Sequence, residues 1–279
     1  KNLLIKNNVQ TNGTLLSEEF RNFFESNEFM IGTSIQGTKQ IHDSMRIDSV
    51  GKPTYERLIQ NISKLKNKPS AIMVLTKEIL GKEKEIYKEI KLYVKGIRIS
   101  EYFPGGLNPG KDKIKSNNLE KIMPTPKEYG ESMIKFYEIW KNDQTPIEIR
   151  PISEFIRGFI QGECGGCLYS QKACNFSVIG IKSNGDFYTC MRAYPNKDFF
   201  LGNVKEQPLK KHKYLAKRFM DKRVNILLKK DCQKCRFWNQ CNGGCPQESL
   251  KIYRDLDHKA FYCEGRKMLF NHILNDLKL

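Results

Sequence analysis

Apolar positions in the first hundred residues alternate between strand-like and helix-like spacing. Leu3-Leu4-Ile5 through Val9 reads as a strand that ends in the turn Thr11-Asn12-Gly13. Ser17 is placed to cap a following helix, with Glu18 and Glu19 in its first turn and Phe20, Phe23 and Phe24 on one face. Met30 to Ile35 reads as the next strand, broken at Gly37, and Thr54 to Lys66 as a helix with Leu58, Ile59, Ile62 and Leu65 inward. Residues 71–75 form an apolar strand, Glu83 to Val94 a helix, and Ile97 to Phe103 a further strand. This alternation predicts an α/β fold with a parallel sheet and right-handed crossovers. Four strands are too few to close an eight-stranded barrel. The first would also be an exposed apolar edge, which proteins avoid. With a first residue that is not Met, this predicts that strands of a partial, truncated barrel precede Lys1.

A Pro/Gly-rich loop at 104–110 and a charged linker follow. After Pro124-Thr125-Pro126 comes a longer helix with Tyr129, Met133, Phe136, Tyr137 and Trp140 at helical spacing, read as a core stripe. The expected division is 1–122 for the barrel portion, 123–160 for connecting helices and 161–279 for a small α+β domain.

Composition narrows the class. No run of about 18 apolar residues exists, which argues against a membrane-spanning helix. No signal-peptide pattern opens the chain, and sixteen Phe and twelve Tyr argue against disorder. The net charge of +17 comes from Lys scattered over solvated helix faces such as Lys82-Glu83-Lys84-Glu85, with no stripe for nucleic acid. An acidic peptide partner stays open.

Cysteine placement carries the chemistry. Residues 1–163 hold none, and then come Cys164, Cys167, Cys174, Cys190, Cys232, Cys235, Cys241, Cys245 and Cys263. This suits a metal module in a reducing, cytoplasmic setting better than a disulfide scaffold. Cys232-x2-Cys235-x5-Cys241-x3-Cys245, with Cys263 on an expected helix from Gln247 to Leu279, lets close thiolates serve one centre. The Asn184-Gly185 hairpin signal places Cys190 near Cys164, Cys167 and Cys174. Eight thiolates would fill two four-ligand centres, with one spare. Zinc and iron-sulfur both accept such sets, and the x2, x5, x3 spacing favours iron-sulfur. His42-Asp43 is read as structural rather than a catalytic dyad, and His212, His258 and His272 as surface residues on Lys-rich helices.

Gly185-x4-Cys190, the block from Cys232 to Cys245, and Cys263 together resemble the SPASM domain of radical S-adenosylmethionine (AdoMet) enzymes, with Cys174 as a seventh matching cysteine. Leu201-Gly202-Asn203-Val204 and Cys241-Asn242-Gly243-Gly244-Cys245-Pro246 are also similar. Gln10-Thr11-Asn12-Gly13, Thr33-Ser34-Ile35-Gln36-Gly37 and His42-Asp43-x2-Arg46 resemble stretches of the radical AdoMet partial barrel. The region around Thr125 to Trp140 most resembles anaerobic sulfatase-maturating enzymes and related peptide maturases.

The resemblance implies two auxiliary 4Fe-4S clusters, one on Cys232, Cys235, Cys241 and Cys263, the other on Cys174, Cys190 and Cys245 with Cys164 or Cys167. It implies AdoMet contacts from Ser34, Arg46 and Leu107. It also implies a peptide or protein substrate, for which an acidic leader is a candidate, and an electron donor such as ferredoxin or flavodoxin. The expected activity is hydrogen abstraction from a peptide side chain, giving an oxidation or a crosslink.

Departures qualify this. The Cys-x3-Cys-x2-Cys motif of the AdoMet-cleaving cluster is absent and is expected before Lys1, with that third cluster. Met191 stands where sulfatase maturases have an Asp proton acceptor, and Gln36 and Thr38 replace the usual Asp and Pro. These changes favour a thioether or carbon–carbon crosslink over formylglycine. The alternatives are a non-catalytic cluster-bearing peptide-binding module and a zinc-ribbon nucleic-acid binder, the latter suggested by Arg236-Phe237-Trp238.

Overall fold

The computed structural model describes residues 4–104, 116–162, 178–194, 196–206 and 220–278. Leu107, Cys164, Cys167, Cys174 and His212 lie outside them. The chain divides into two compact units, Lys1–Tyr102 with Glu131–Ser153, and Phe103–Gly130 with Glu154–Leu279.

The first unit is built on β1 (Asn8–Gln10), β2 (Met30–Ser34), β3 (Ser70–Leu75), β4 (Gly96–Glu101) and β5 (Glu148–Arg150). All neighbours are parallel and the spatial order equals the chain order. A doubly wound sheet would reverse direction at a switch point, whereas sequential order is the wall of a βα barrel. The connecting helices of this unit are α1 (Glu18–Ser26), α2 (Lys39–Met45), α3 (Tyr55–Ile62) and α4 (Glu83–Lys91), while α5 (Ser116–Ile122) belongs to the second unit and α6 (Pro126–Lys141) to the first only from Glu131 onward.

The expected capping is present: Ser17 Oγ accepts from Phe20 N at 3.3 Å. Thr125 and Glu128 form a reciprocal capping box at 3.2 and 2.7 Å, with Pro126 as the first helical residue.

Strand alternation sorts the two sheet faces. Ala71, Met73, Leu75, Ile97, Ile99 and Ile149 are buried, and Leu58, Ile62, Ile86, Ile90, Met133 and Phe136 supply the helical half of that core. The opposite face carries Gln10, Gly32, Ser70, Arg98, Glu148 and Arg150, all bordering a cavity of about 560 Å³. Residues 71–75 read as wholly apolar in sequence; Ala71, Met73 and Leu75 are buried, while Ile72 is half-buried and borders this cavity.

Several expectations are corrected. The strand expected from Leu3 is confined to Asn8–Gln10, and the four-strand count missed β5, whose three residues are too short to show periodicity. Phe20, Phe23 and Phe24 do stack on one another and on Phe29, yet Phe20 and Phe23 stay half exposed. Of the α6 stripe, Tyr129, Met133, Phe136 and Tyr137 are buried as expected.

The second unit holds α7 (Ile152–Gln161) from Glu154 onward, the antiparallel sheet β6 (Gly180–Ile181), β7 (Asp186–Tyr188) and β8 (Phe200–Asn203), and four further helices. These are α8 (residues 220–229), α9 (Trp238–Cys241), α10 (Pro246–Tyr253) and α11 (Cys263–Leu277). The hairpin at Asn184-Gly185 is as expected, with Gly180 opposite Tyr188. The single helix expected over 247–279 is two. Arg254 enters the left-handed region at φ +66° and ends α10, so Cys263 begins a new helix instead of lying inside an old one. His258 accordingly sits in the connecting bend, bonded to Asp255 at 2.7 Å, not on a helix. Among the described residues no helix is long and apolar enough to cross a membrane.

Candidate functional site

In a parallel βα array the loops after the strands gather at one edge, where backbone groups and side chains are free to meet a ligand. At that edge Asn12 and Thr14 after β1, Ser34 at the end of β2, and Arg46 and Asp48 after α2 enclose a cavity of about 250 Å³. Gly13 makes the first turn possible: its φ is +74°, and a Cβ there would lie 2.4 Å from Leu58 Cδ1. Ser34 and Arg46, twelve positions apart in sequence, thus line one cavity. The Arg46 guanidinium forms no ion pair with a described residue, and burial lowers its pKa, though a guanidinium stays charged throughout.

What positions Arg46 is a buried polar chain beneath it. His42, 1% exposed, accepts from Gln36 N at Nδ1 (3.2 Å), and its Nε2 meets Thr54 Oγ1 at 3.2 Å. Since the Thr54 hydroxyl donates to Arg46 O at 2.6 Å, the imidazole proton belongs on Nε2. Burial pushes His42 down to about 4, the Arg46 charge adds to this, and Asp43 opposes it. Asp43 itself accepts from Thr54 N and Tyr55 N at 3.0 and 2.9 Å, capping α3 from outside. His42 and Asp43 therefore serve the same threonine from two sides, which is the structural role read from the sequence.

Gln36 also has a physical reason to differ from an Asp. Its Nε2 donates to Val74 O at 2.5 Å and its Oε1 accepts from Val74 N at 3.1 Å. An amide completes both bonds and extends the β2–β3 ladder, whereas a carboxylate could only accept.

In the second unit six cysteines are described and none is in a disulfide. The Cys232 N–H donates to Leu227 O at the end of α8, Cys235 N to Cys232 O, Cys241 closes α9 and Cys263 opens α11. Burial pushes Cys232 up to about 11, and the thiols of Cys263 and Cys235 push it further. Burial pushes Cys241 up to about 12, opposed by Arg266 and reinforced by Cys263, Cys232 and Cys235. Cys232 and Cys241 thus each feel the charges of Cys235 and Cys263. Cys245 is also raised by burial, but the charges that act on it are those of Arg192 and Glu248. Cys190 packs beside the Tyr188–Phe199 cluster.

Four soft thiols, three of them buried and Cys235 partly exposed, suit iron–sulfur ligation, where a bound cluster's charge would stabilise the thiolates that burial disfavours. Among the described residues no three Cys, His, Asp or Glu side chains converge as a single metal ion requires.

Sequence reading missed the groups that hold this array. The Arg266–Glu248 ion pair spans 2.7 Å with each side chain 1% exposed, and Glu248 also accepts from Tyr262 N at 2.8 Å. Arg223 donates to His258 O and Gly243 O at 2.9 and 3.1 Å. Ala260 N reaches Gly243 O at 2.9 Å, tying the Cys241–Cys245 loop to the turn before Cys263. The available signal was spacing: Glu248 and Arg266 each follow a cysteine by three residues, one helical turn.

No protein-family model matches the chain. In sequence it is 25% identical to the cysteine-type anaerobic sulfatase-maturating enzyme of Clostridium novyi (strain NT), covering 99% of this chain and 73% of that protein. It is 27% identical to the cysteine-type enzyme of Clostridium perfringens (strain 13 / Type A), over 98% and 73%. To the serine-type enzyme of Bacteroides thetaiotaomicron it is 26% identical, over 96% and 68%. In structure it matches native anSMEcpe with bound AdoMet at a TM-score of 0.82 and 23% identity, covering 99% of this chain and 75% of that one. The same protein with AdoMet and the Kp18Cys peptide matches at 0.81, over 99% and 76%. The chain is a homologue of the anaerobic sulfatase-maturating enzymes, radical AdoMet proteins that it follows over nearly its whole length.

Proposed function

We propose that this chain is the AdoMet-binding and auxiliary-cluster portion of a radical AdoMet enzyme that modifies a peptide or protein side chain. The observation that carries the reading is the convergence of Ser34 and Arg46 on one cavity at the strand-end edge of a parallel sheet. The Arg46 guanidinium offers a fork of donors to the AdoMet carboxylate, and the Ser34 hydroxyl suits its ribose. The similarity to AdoMet-bound sulfatase maturases supports the same ligand. Bound AdoMet supplies hydrogen abstraction from the substrate once an electron reaches it. The sequence contains no Cys-x3-Cys-x2-Cys, so the cluster that delivers that electron is assigned to none of these residues.

Cys232, Cys235, Cys241 and Cys263 hold one auxiliary 4Fe-4S cluster in this reading, supported by their mutual electrostatic influence. Cys190 and Cys245 belong with Cys174 and Cys164 or Cys167 on a second. Leu107 is assigned to the AdoMet site from the resemblance.

The product is a crosslink or related modification rather than formylglycine. Met191 is seated against β6, so that a Cβ on Gly180 would fall 2.4 Å from its sulfur. A thioether there cannot take the proton that an Asp would accept.

Equilibrium dialysis of AdoMet against anaerobically purified protein tests the site. Arg46→Ala should weaken binding at least about tenfold, the worth of one charge-assisted bond, and Ser34→Ala less. Unchanged affinity in Arg46→Ala would remove the assignment.

A further inference from the structure

Ser34 and Arg46 stand on different elements, the one at the end of β2 and the other just past α2. A single line of hydrogen bonds joins the two places. Gln36, which follows shortly after Ser34, donates its backbone N–H to His42 Nδ1 at 3.2 Å. Nε2 is then the protonated nitrogen, and it donates to Thr54 Oγ1 at 3.2 Å. The Thr54 hydroxyl proton is directed in turn to Arg46 O at 2.6 Å. Every donor in the line points toward Arg46, so each bond polarises the next. Both ends are held from outside. The Gln36 side chain bonds Val74 N and Val74 O on β3, and Asp43 accepts from Thr54 N at 3.0 Å.

Arg46 ends α2, where a carbonyl has no helical partner. Its N–H donates to His42 O at 2.8 Å and its C=O accepts from Thr54. Both backbone groups are therefore engaged at the wall of the cavity that Arg46 lines. His42 and Thr54 border the same cavity and are 1% and 6% exposed. The one hydroxyl proton of Thr54 is committed to Arg46 O, so what Thr54 does for a ligand passes through Arg46.

We infer that His42 and Thr54 are positioning residues for AdoMet, setting the Arg46 guanidinium relative to the Ser34 hydroxyl and thereby the preference for a ligand that bears a carboxylate. This rests on the AdoMet reading above. A two-pronged bond from guanidinium to carboxylate depends on geometry, and a displacement of about 1 Å is enough to weaken it. Valine at position 54 keeps the shape of threonine but leaves Arg46 O without its donor and His42 Nε2 without its acceptor. The start of α3 stays held, because Asp43 bonds the backbone of Thr54 and Tyr55 and not their side chains.

Equilibrium dialysis of full-chain, anaerobically purified protein compares AdoMet with decarboxylated AdoMet, which lacks only the carboxylate. Thr54→Val should weaken AdoMet binding at least about fivefold, as loss of one buried hydrogen bond does, and decarboxylated AdoMet about twofold or less. Thr54→Ala and His42→Phe should lose the preference in the same way. Thr54→Ser, which restores the hydroxyl, should keep it within about twofold of wild type. Tyr55→Phe is the control. It removes a hydroxyl bonded to Glu89 but keeps the ring beside His42, at 5.4 Å between centroids, and should leave the preference unchanged. A role in folding alone would weaken both ligands alike in Thr54→Val, or cost Tyr55→Phe as much, and either result would overturn the inference. So would an equal loss in Thr54→Ser. Arg46→Ala in the same assay separates the inference from the reading beneath it. If Arg46→Ala loses the preference while Thr54→Val keeps it, the positioning role alone falls. If Arg46→Ala keeps it, the AdoMet reading falls and the positioning role with it.

Discussion

Arg266 and Glu248 are joined by an ion pair of 2.7 Å in which each side chain is 1% exposed, and the pair stands between two cysteine loops. Arg266 lies one turn beyond Cys263 on α11, and a Cβ on Gly244 would come within 2.4 Å of its Nη1. Gly244 has φ +73°, so the Cys241–Cys245 loop is shaped for this close passage. Removing one partner strands a buried charge. Arg266→Ala or Glu248→Ala should each cost about 3–5 kcal/mol, whereas Arg266→Met with Glu248→Leu should cost much less. Urea unfolding of the four proteins measures this, and a double variant as unstable as the singles would contradict it.

The cysteine grouping predicts a pattern of iron loss. Cys241→Ser and Cys245→Ser should each remove about four irons, since a cluster rarely survives loss of a ligand. Cys241→Ser with Cys263→Ser should still lose about four, but Cys241→Ser with Cys245→Ser about eight. Iron analysis of anaerobically reconstituted protein decides. Additive loss in the first pair would mean that Cys241 and Cys263 serve different centres.

His42 makes stability depend on pH. Its folded pKa, about 4, lies below the ordinary 6.5, so the unfolded chain binds the proton more readily. The contribution is complete above pH 6.5, declines as pH falls toward 4, and is then level. Over that window the loss is about 3 kcal/mol. Denaturation of wild type and His42→Asn at pH 7 and pH 4.5 isolates it, because other groups titrate alike in both. Equal pH dependence would show that His42 is not held neutral.

Gly265 marks a helix crossing too close for a side chain. A Cβ there would stand 2.1 Å from Pro126 O and 2.9 Å from Gly130 N. Gly265→Ala should therefore destabilise by at least about 2 kcal/mol despite alanine's better helix propensity. Thermal unfolding checks the sign, and a stabilised variant would mean the crossing readily opens.

Local signals were legible wherever a short stretch settles its own conformation. Ser17 announces α1, Thr125-Pro126-Lys127-Glu128 announces α6, and Asn184-Gly185 announces the hairpin, because caps and tight turns depend on neighbouring residues alone. Ser34 and Arg46 were named through a resemblance of ordered motifs, and the structure brings the two onto one cavity. β5 was not legible, since three residues carry no period and its strand character comes from pairing with β4. Nor was the break at Arg254, where a single left-handed residue divides a helical run.

What the sequence by itself determined is the alternation of strands and helices, the chemistry of the thiols and the residue types offered to a ligand. Only the tertiary structure decided that Gln10, Arg98 and Arg150 border one cavity, and that the charge of Cys263 reaches Cys232 and Cys241. Such pairings join residues tens of positions apart, and nothing in their own neighbourhoods records them. They follow from sheet register and helix packing, which exist only when the whole chain buries its apolar faces together.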